Sequence, residues 1–103
     1  MRYIISESRL HEFINDYLNS FVERKDVSHS DPYIIIAEPN QNDDEATWID
    51  YMEYDFTDGR LWINKNFLTN ISDLFFKDKD DAMKFMADWF DNKFDVEVKF
   101  VQS

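Results

Sequence analysis

The chain has 103 residues, of which 44% are hydrophobic and 17% aromatic, so it can bury a core and we expect one small domain, residues 1–103. It has no Cys, which excludes disulfides, thiolate metal sites and Cys nucleophiles. The formal charge of −11 argues against direct nucleic-acid binding, because phosphate contacts need Lys and Arg and no basic stripe is present.

The sequence also predicts where the protein is found. The first ten residues contain no long apolar segment, and no apolar run approaches about 18 residues, so we expect neither a signal peptide nor a membrane span. The default location is therefore the cytoplasm.

The negative charge is concentrated in the middle of the chain. Residues 26–59 hold ten acids and neither Lys nor Arg, so they supply ten of the eleven excess negative charges. A stretch of this kind is typical of a solvated surface or of a surface that meets a basic partner. The ten acids are Asp26, Asp31, Glu38, Asp43, Asp44, Glu45, Asp50, Glu53, Asp55 and Asp58.

The first third of the chain predicts a short strand and a helix. "RYII", residues 2–5, is typical of a strand or lead-in, with Ser6 as the N-cap of the helix after it. From about Glu7 to Arg24 apolar side chains recur at intervals of three and four, which predicts an amphipathic helix. Its apolar face comprises Leu10, Phe13, Ile14, Tyr17, Leu18, Phe21 and Val22.

Two polar segments with an apolar one between them come next. "KDVSHSDP", residues 25–32, predicts a polar loop. "YIIIAEP", residues 33–39, predicts a strand that is covered on both faces or lies well inside the sheet. "NQNDDEA", residues 40–46, predicts an exposed acidic loop.

The stretch "TWIDYMEYDFTDGRLWIN", residues 47–64, predicts a β-hairpin. Asp58-Gly59 is a strong signal for a two-residue turn, which would pair Phe56 with Leu61. By the same alternation Trp48 and Asp50 would point to the core face, where the charge of Asp50 would be a misfit. Side chains alternate across a strand, so the turn predicts two faces. The core face comprises Met52, Tyr54, Phe56, Leu61 and Ile63, and the outer face comprises Tyr51, Glu53, Asp55, Thr57, Arg60 and Trp62.

The last third predicts two helices and a strand. Helical spacing over residues 67–75 predicts a short helix, and a final helix is expected over about 80–93 with Asp78 or Asp80 as its cap. "DVEVKFV", residues 95–101, alternates as a strand does, with Val96, Val98 and Phe100 on one face. The core is expected where six side chains meet over the sheet: Phe13, Tyr17, Phe21, Met86, Trp89 and Phe90.

The order of elements predicts an α+β fold. We expect an antiparallel sheet of about four strands packed on two long helices and one short helix.

No motif for catalysis or metal binding is present. The chain lacks the Gly-rich phosphate and dinucleotide motifs and the zinc-protease motif. Acidic stretches beginning at Asn40 and Asp78 lack the Gly and Glu of a calcium-binding EF-hand loop. His11 and His29 are expected to be solvated. The sequence therefore predicts a protein that is not an enzyme and has no cofactor or metal.

The candidate binding residues combine acids with large rings, a combination that interfaces favour. They belong to the acidic loop and to the outer hairpin face. The alternatives are that helices cover the two rings or that the rings lie singly on the surface. The expected partner is another protein with a basic surface. The candidates are Asp43, Asp44, Glu45, Tyr51, Glu53, Asp55 and Trp62.

Two segments resemble small uncharacterised proteins of large tailed bacteriophages. The opening "MRYIISESRLHEFINDYL" is similar to their Tyr-Ile-Ile-Thr-Glu-Ser-like starts. The closing "FLTNISDLFFKDKDDAMKFMADWFDNKFDVEVKFV" is similar to their pattern of a short helix, an acidic break, a helix with a Trp-Phe pair and a Val-rich strand. The resemblance covers about half of the chain and carries no activity.

The resemblance implies a phage origin and a virion or accessory role, with docking on a larger assembly in the virion or the host cytoplasm. The alternative hypothesis is an acidic intracellular inhibitor that occupies the nucleic-acid-binding site of a host enzyme.

Overall fold

A computed structural model describes residues 7–40 and 47–103. In these ranges the chain forms three helices and five strands in an α+β fold, as predicted. The helices are α1 (Glu7–Glu23), α2 (Lys65–Phe75) and α3 (Lys79–Phe94). The strands are β1 (Asp26–Ser30), β2 (Tyr33–Pro39), β3 (Trp48–Asp55), β4 (Arg60–Ile63) and β5 (Phe100–Gln102).

The sheet differs from the prediction in strand number and direction. It has five strands in the order β1-β2-β3-β4-β5, and β5 runs parallel to β4 while the other pairs are antiparallel. The extra strand is β1, which occupies the predicted polar loop. Its sequence DVSHS has one apolar residue, Val27, so its extended form depends on pairing with β2 rather than on an alternating pattern. The predicted strand at residues 2–5 and its cap at Ser6 lie outside the described residues.

The helix boundaries follow the capping signals. Asn64 begins α2 by accepting hydrogen bonds from the backbone N–H groups of Asn66 and Phe67. Asp78 begins α3 in the same way, accepting from the N–H of Asp81 at 2.9 Å. Asp95 ends α3 in the left-handed conformation at φ 53°. The predicted short and final helices and the Asp78 cap are thus confirmed.

All three helices pack on one face of the sheet. The core contains Phe90, Met86 and Ala82 of α3, and side chains of the other helices and of the sheet complete it. The buried contributions from those elements are Ile14, Leu18 and Val22 of α1, Phe67, Leu68 and Ile71 of α2, and Ile34, Ile36, Met52, Tyr54, Leu61 and Ile63 of the sheet.

One predicted core residue is misplaced. Phe13 is 62% exposed, and its ring lies beside that of Phe75, whose centroid is 6.0 Å away. The apolar stripe of α1 is wide, and Ile14 and Leu18 occupy the line that faces the sheet. Tyr17 and Phe21 are partly buried against the core, and the three predicted residues of α3 are buried.

The hairpin joining β3 and β4 has a longer loop than predicted. Asp55 pairs with Arg60 and Tyr54 with Leu61, which leaves residues 56–59 as a four-residue loop and Phe56 49% exposed. A two-residue turn of the predicted type needs positive φ at both positions, but only Gly59 has it, at φ 73°.

Carboxylates stabilise the longer loop. The side chain of Asp55 accepts a hydrogen bond from the N–H of Thr57 at 2.8 Å, and that of Asp58 accepts from the N–H of Arg60 at 3.1 Å. Lengthening a loop by two residues preserves which face each side chain takes, so the predicted core-face residues of the hairpin other than Phe56 are buried. Trp48, which was predicted to point to the same side, is 56% exposed.

The C-terminal strand is shorter than predicted, because residues 96–99 are held by other contacts. The side chain of Asp91 accepts a hydrogen bond from the N–H of Val98 at 2.6 Å, and the hydroxyl of Tyr54 donates to the carbonyl oxygen of Glu97 at 2.6 Å. Phe100, predicted to share a face with Val96 and Val98, is 61% exposed, whereas those two Val residues are partly buried against the core.

Candidate functional site

The candidate site is the face of the sheet opposite the helices. Within residues 7–40 and 47–103 no helix packs on this face, since the helices share the core of the other face. The strand register places the outward side chains in two rows across β2 to β5. We call these two rows, together with Asp50 of β3, the helix-free face. The first row is Tyr33, Asp55, Arg60 and Phe100, and the second row is Ile35, Glu53, Trp62 and Gln102.

Glu53 lies at the centre of this face. Its neighbours across the ladder are Ile35 on β2 and Trp62 on β4. Partial burial among these apolar side chains raises the pKa of Glu53, and the charges of Asp50 and Asp55 raise it further. The folded chain therefore holds three carboxylates on one strand at a cost in electrostatic repulsion.

A shallow depression of about 250 Å³ opens beside Glu53. Its wall combines two rings, two carboxylates, an amide and a guanidinium. Such a surface offers an apolar contact area and hydrogen-bond acceptors within the reach of one side chain. The lining residues are Tyr33, Glu53, Asp55, Arg60, Trp62 and Gln102.

The one cation on the helix-free face is paired away from its centre. Arg60 forms an ion pair with Asp58 of the loop, with 3.2 Å between guanidinium nitrogen and carboxylate oxygen. Asp50, Glu53 and Asp55 form no ion pair with any described residue. Their charge is consequently available to a partner.

Tyr51 is not part of this face, which corrects its predicted position. Ile36 pairs with Met52 and Ala37 with Asp50, so Tyr51 is the extra residue of a β-bulge. The bulge reverses the side-chain alternation at this point. It also explains the misfit noted for Asp50, which it turns outward.

The bulge turns the ring of Tyr51 to the helix side. There the ring lies edge-on to Phe21 and Phe67, with centroids 5.0 and 5.5 Å away. The hydroxyl donates a hydrogen bond to Glu38, which also pairs with Lys25 at 2.7 Å. Tyr51 therefore has a structural role between the sheet and α1.

These contacts shift two pKa values in opposite directions. Burial, followed by the hydrogen bond to Glu38, raises the pKa of Tyr51 to about 12. The hydrogen bonds from Lys25 and then from Tyr51 lower the pKa of Glu38. Glu38 thus stays ionised as the acceptor of both groups.

The other predicted site residues have mixed outcomes. Glu53, Asp55 and Trp62 come together on the helix-free face, as expected of an outer hairpin face. Asp43, Asp44 and Glu45, which were predicted to lie in a loop, are outside the described residues. Sequence reasoning missed Tyr33, Ile35, Asp50 and Gln102, because their positions depend on which strands are neighbours. The sequence did contain a signal for Asp50, because simple alternation along the strand would have pointed this charged side chain into the core.

The two histidines and the remaining acids of the described residues do not form a recognisable catalytic or metal-binding arrangement. His11 packs against the ring of Phe85 at 5.0 Å, and His29 lies exposed on β1. In the described part of the chain no cluster of three or more His, Asp or Glu could hold a metal ion. No helix there is long and apolar enough to cross a membrane.

Comparison with protein-family models, curated proteins and solved structures finds no match to this chain. The assignment of the candidate site therefore rests on the geometry of this chain alone.

Proposed function

We propose that this chain is a non-enzymatic docking protein, a small virion or accessory component that binds a basic surface of a larger assembly through the helix-free face. The observation that carries the proposal is the centre of that face, where Glu53 lies between Ile35 and Trp62 without an ion pair among the described residues. Aromatic side chains are enriched at protein interfaces, and charged groups at an interface are arranged to complement the charge of the partner.

The charge of the face selects the partner. Three carboxylates of β3 would meet Lys or Arg side chains of another protein, while nucleic-acid phosphates would be repelled. The resemblance of both ends of the chain to small proteins of large tailed bacteriophages supports a phage particle or an infected cell as the setting.

The test is quantitative mass spectrometry of purified particles of the phage that encodes the chain. A virion component is expected at a fixed copy number in every preparation. An accessory protein is expected instead to co-purify from infected cells with one defined assembly. Recovery of the chain only as a free monomer in both fractions would contradict the proposal.

A second candidate function is an inhibitor that occupies the nucleic-acid-binding site of a host enzyme. The alignment of Asp50, Glu53 and Asp55 along one strand favours it. The row is short, however, and its neighbours on both sides are Ile35 and Trp62 rather than further acids. An inhibitor would compete with duplex DNA for its enzyme and would be absent from particles.

A further inference from the structure

We infer that the helix-free face accepts an arginine-bearing segment of the partner, with one guanidinium between Trp62 and Glu53 and further cations along β3. This inference rests on the proposed docking function and specifies the side-chain chemistry of its partner. It is carried by the arrangement of the face, by the pairing of Arg60 and by the shape of the depression.

The arrangement of charge and apolar surface suits long cationic side chains. The outward residues of β3 on either side of Glu53 are the acids Asp50 and Asp55, whereas β2 and β4 place Ile35 and Trp62 beside Glu53. Long cationic side chains have apolar stems and charged heads. Stems would therefore pack on the flanking strands while the heads lie over β3.

The helix-free face also has no cation of its own at the centre. Arg60 is opposite Asp55 in the ladder, yet its guanidinium bonds to Asp58 at 3.2 Å. The position beside Glu53 is farther from Arg60 by one outward step along β4, about 7 Å. Glu53 is accordingly the better site for an incoming cation, and Asp55 the weaker one.

The shape of the depression distinguishes arginine from lysine. A planar guanidinium can stack on the ring of Trp62 while its N–H groups bond to the carboxylate of Glu53. An ammonium group offers no planar surface for stacking and is more strongly hydrated. The depression of about 250 Å³, which Tyr33, Asp55, Arg60 and Gln102 also line, leaves room for one such planar group.

A second copy of this chain does not meet these requirements through the same face. A symmetric contact would place the acids of β3 against the same acids of the other copy. The formal charge of −11 per chain adds to that repulsion. The partner is therefore a different, basic protein.

The test uses NMR titration of the labelled full chain with a capped peptide that has arginine at its second and fourth positions and alanine elsewhere. In an extended peptide these two side chains lie on one side about 7 Å apart, the spacing of Glu53 and Asp55 along β3. We expect shifts at the Trp62 indole N–H and at the backbone of residues 53–55. Glu53→Gln should weaken binding about tenfold, the loss of one charge-assisted hydrogen bond.

Matched controls separate this chemistry from general attraction. A citrulline peptide, which keeps the shape and lacks the charge, should not bind, and a lysine peptide should bind more weakly. Asp73→Asn, an exposed change on α2, should leave binding unchanged, while Arg60→Gln should strengthen it. If Trp62→Ala impairs folding, Trp62→Phe serves instead and should weaken binding.

Equal binding by the citrulline or lysine peptide, or unchanged binding by Glu53→Gln, would overturn the arginine assignment. If that occurs while the chain still enters its assembly through the helix-free face, the docking function stands and only its partner chemistry is wrong. If neither the peptide nor any assembly binds this face, both proposals fail.

Discussion

Glu53 links the stability of the fold to the charge of its candidate site. Burial and two neighbouring carboxylates raise its pKa above the ordinary value of 4.5. The folded chain then holds its proton to a higher pH than the unfolded chain does. Stability is therefore expected to fall as pH rises through the interval between the two values, and to remain lower above it.

The first prediction concerns a substitution that removes the titrating carboxyl group of Glu53. Glu53→Gln should raise the free energy of unfolding at pH 7, and the difference from the wild type should shrink as pH falls from the raised pKa of Glu53 to the ordinary value of 4.5 and be small below it. Urea denaturation at several pH values measures it. Glu12→Gln, an exposed change on α1, is the control. A less stable Glu53→Gln at pH 7 would show that the carboxylate has a favourable partner in the folded chain.

The second prediction concerns Gly59, where two requirements coincide. Its φ of 73° is unfavourable for other residues, and a Cβ would lie 2.9 Å from Cγ of Lys99. Its carbonyl oxygen also accepts hydrogen bonds from the N–H groups of Lys99 and Phe100, at 2.8 and 3.2 Å. This glycine therefore holds the C-terminal segment against the hairpin.

Gly59→Ala should lower the free energy of unfolding by about 1 kcal/mol or more, and Gly59→Val by more than Ala. Gly59→Asn should cost less than Gly59→Ala, because asparagine tolerates the left-handed conformation while its Cβ meets the same neighbour. Denaturation midpoints measure all three. An Ala variant as stable as the wild type would mean that this backbone conformation is not required.

At the scale of elements, α1 provides a matched pair of phenylalanines. Phe21 stacks on Phe67 with centroids 4.6 Å apart and lies edge-on to Tyr51. Phe13 belongs to the same apolar stripe but is 62% exposed. The same substitution at the two positions therefore tests how α1 is rotated on the sheet.

Phe21→Ala should destabilise the chain by roughly 3 kcal/mol, near the lower end for truncating a packed phenylalanine. Phe13→Ala should change stability by only about 0.5 kcal/mol, as surface substitutions do. Thermal or urea denaturation of both variants gives the comparison. Equal losses, or a larger loss at Phe13, would require a different face of α1 to contact the sheet.

The elements differ in how far their sequence determines them. Helices α1 and α3 were predictable because an apolar stripe and, at α3, the capping Asp78 are local signals. Strand β1 was not, since DVSHS acquires its conformation from β2. The bulge at Tyr51 was likewise hidden, because the shift arises between paired strands. It decides the site, since it takes Tyr51 away from the outer surface and brings Asp50 to it.

The hairpin shows that the sequence predicted its faces but not the length of its loop. Asp-Gly favours a two-residue turn, but Asp55 and Asp58 satisfy backbone N–H groups in the four-residue loop. Glu53, Asp55 and Trp62 could nevertheless be predicted to lie on one face, because the alternation of β3 and β4 survives a change of two residues. Their neighbours Tyr33 and Ile35 could be found only from the pairing of β2 with β3.

At the scale of the whole molecule, acids on the two sides of the sheet differ in their partners. On the helix side Glu38 is paired with Lys25, whereas the outward carboxylates of β3 have no ion pair among the described residues. A charged surface of this kind speeds encounter with a basic partner, and salt screens it over about 10 Å at 0.1 M.

The salt dependence of association is therefore the fourth prediction. Neutralising Glu53 and Asp55 should slow association with the partner and reduce its dependence on salt, because such charges act mainly on the association rate. Neutralising Asp43, Asp44 and Glu45 should change the association rate in the same direction if this acidic segment contributes. Rates at low and high salt measure both variants. Affinity indifferent to salt and to both sets of changes would leave the acids a solubilising role.

The most direct test of docking through the helix-free face compares two variants of the chain, each substituted on a different surface. One variant carries Trp62→Ala with Glu53→Lys on the helix-free face, and the other carries Phe13→Ala with Leu74→Ala on the exposed helix side. Both are first shown to be folded, and their copy number in the assembly that captures the wild type is then measured by quantitative mass spectrometry. The account predicts that the first variant is lost from the assembly and the second is retained. Retention of the first with loss of the second would contradict it and would locate the docking surface on the helices.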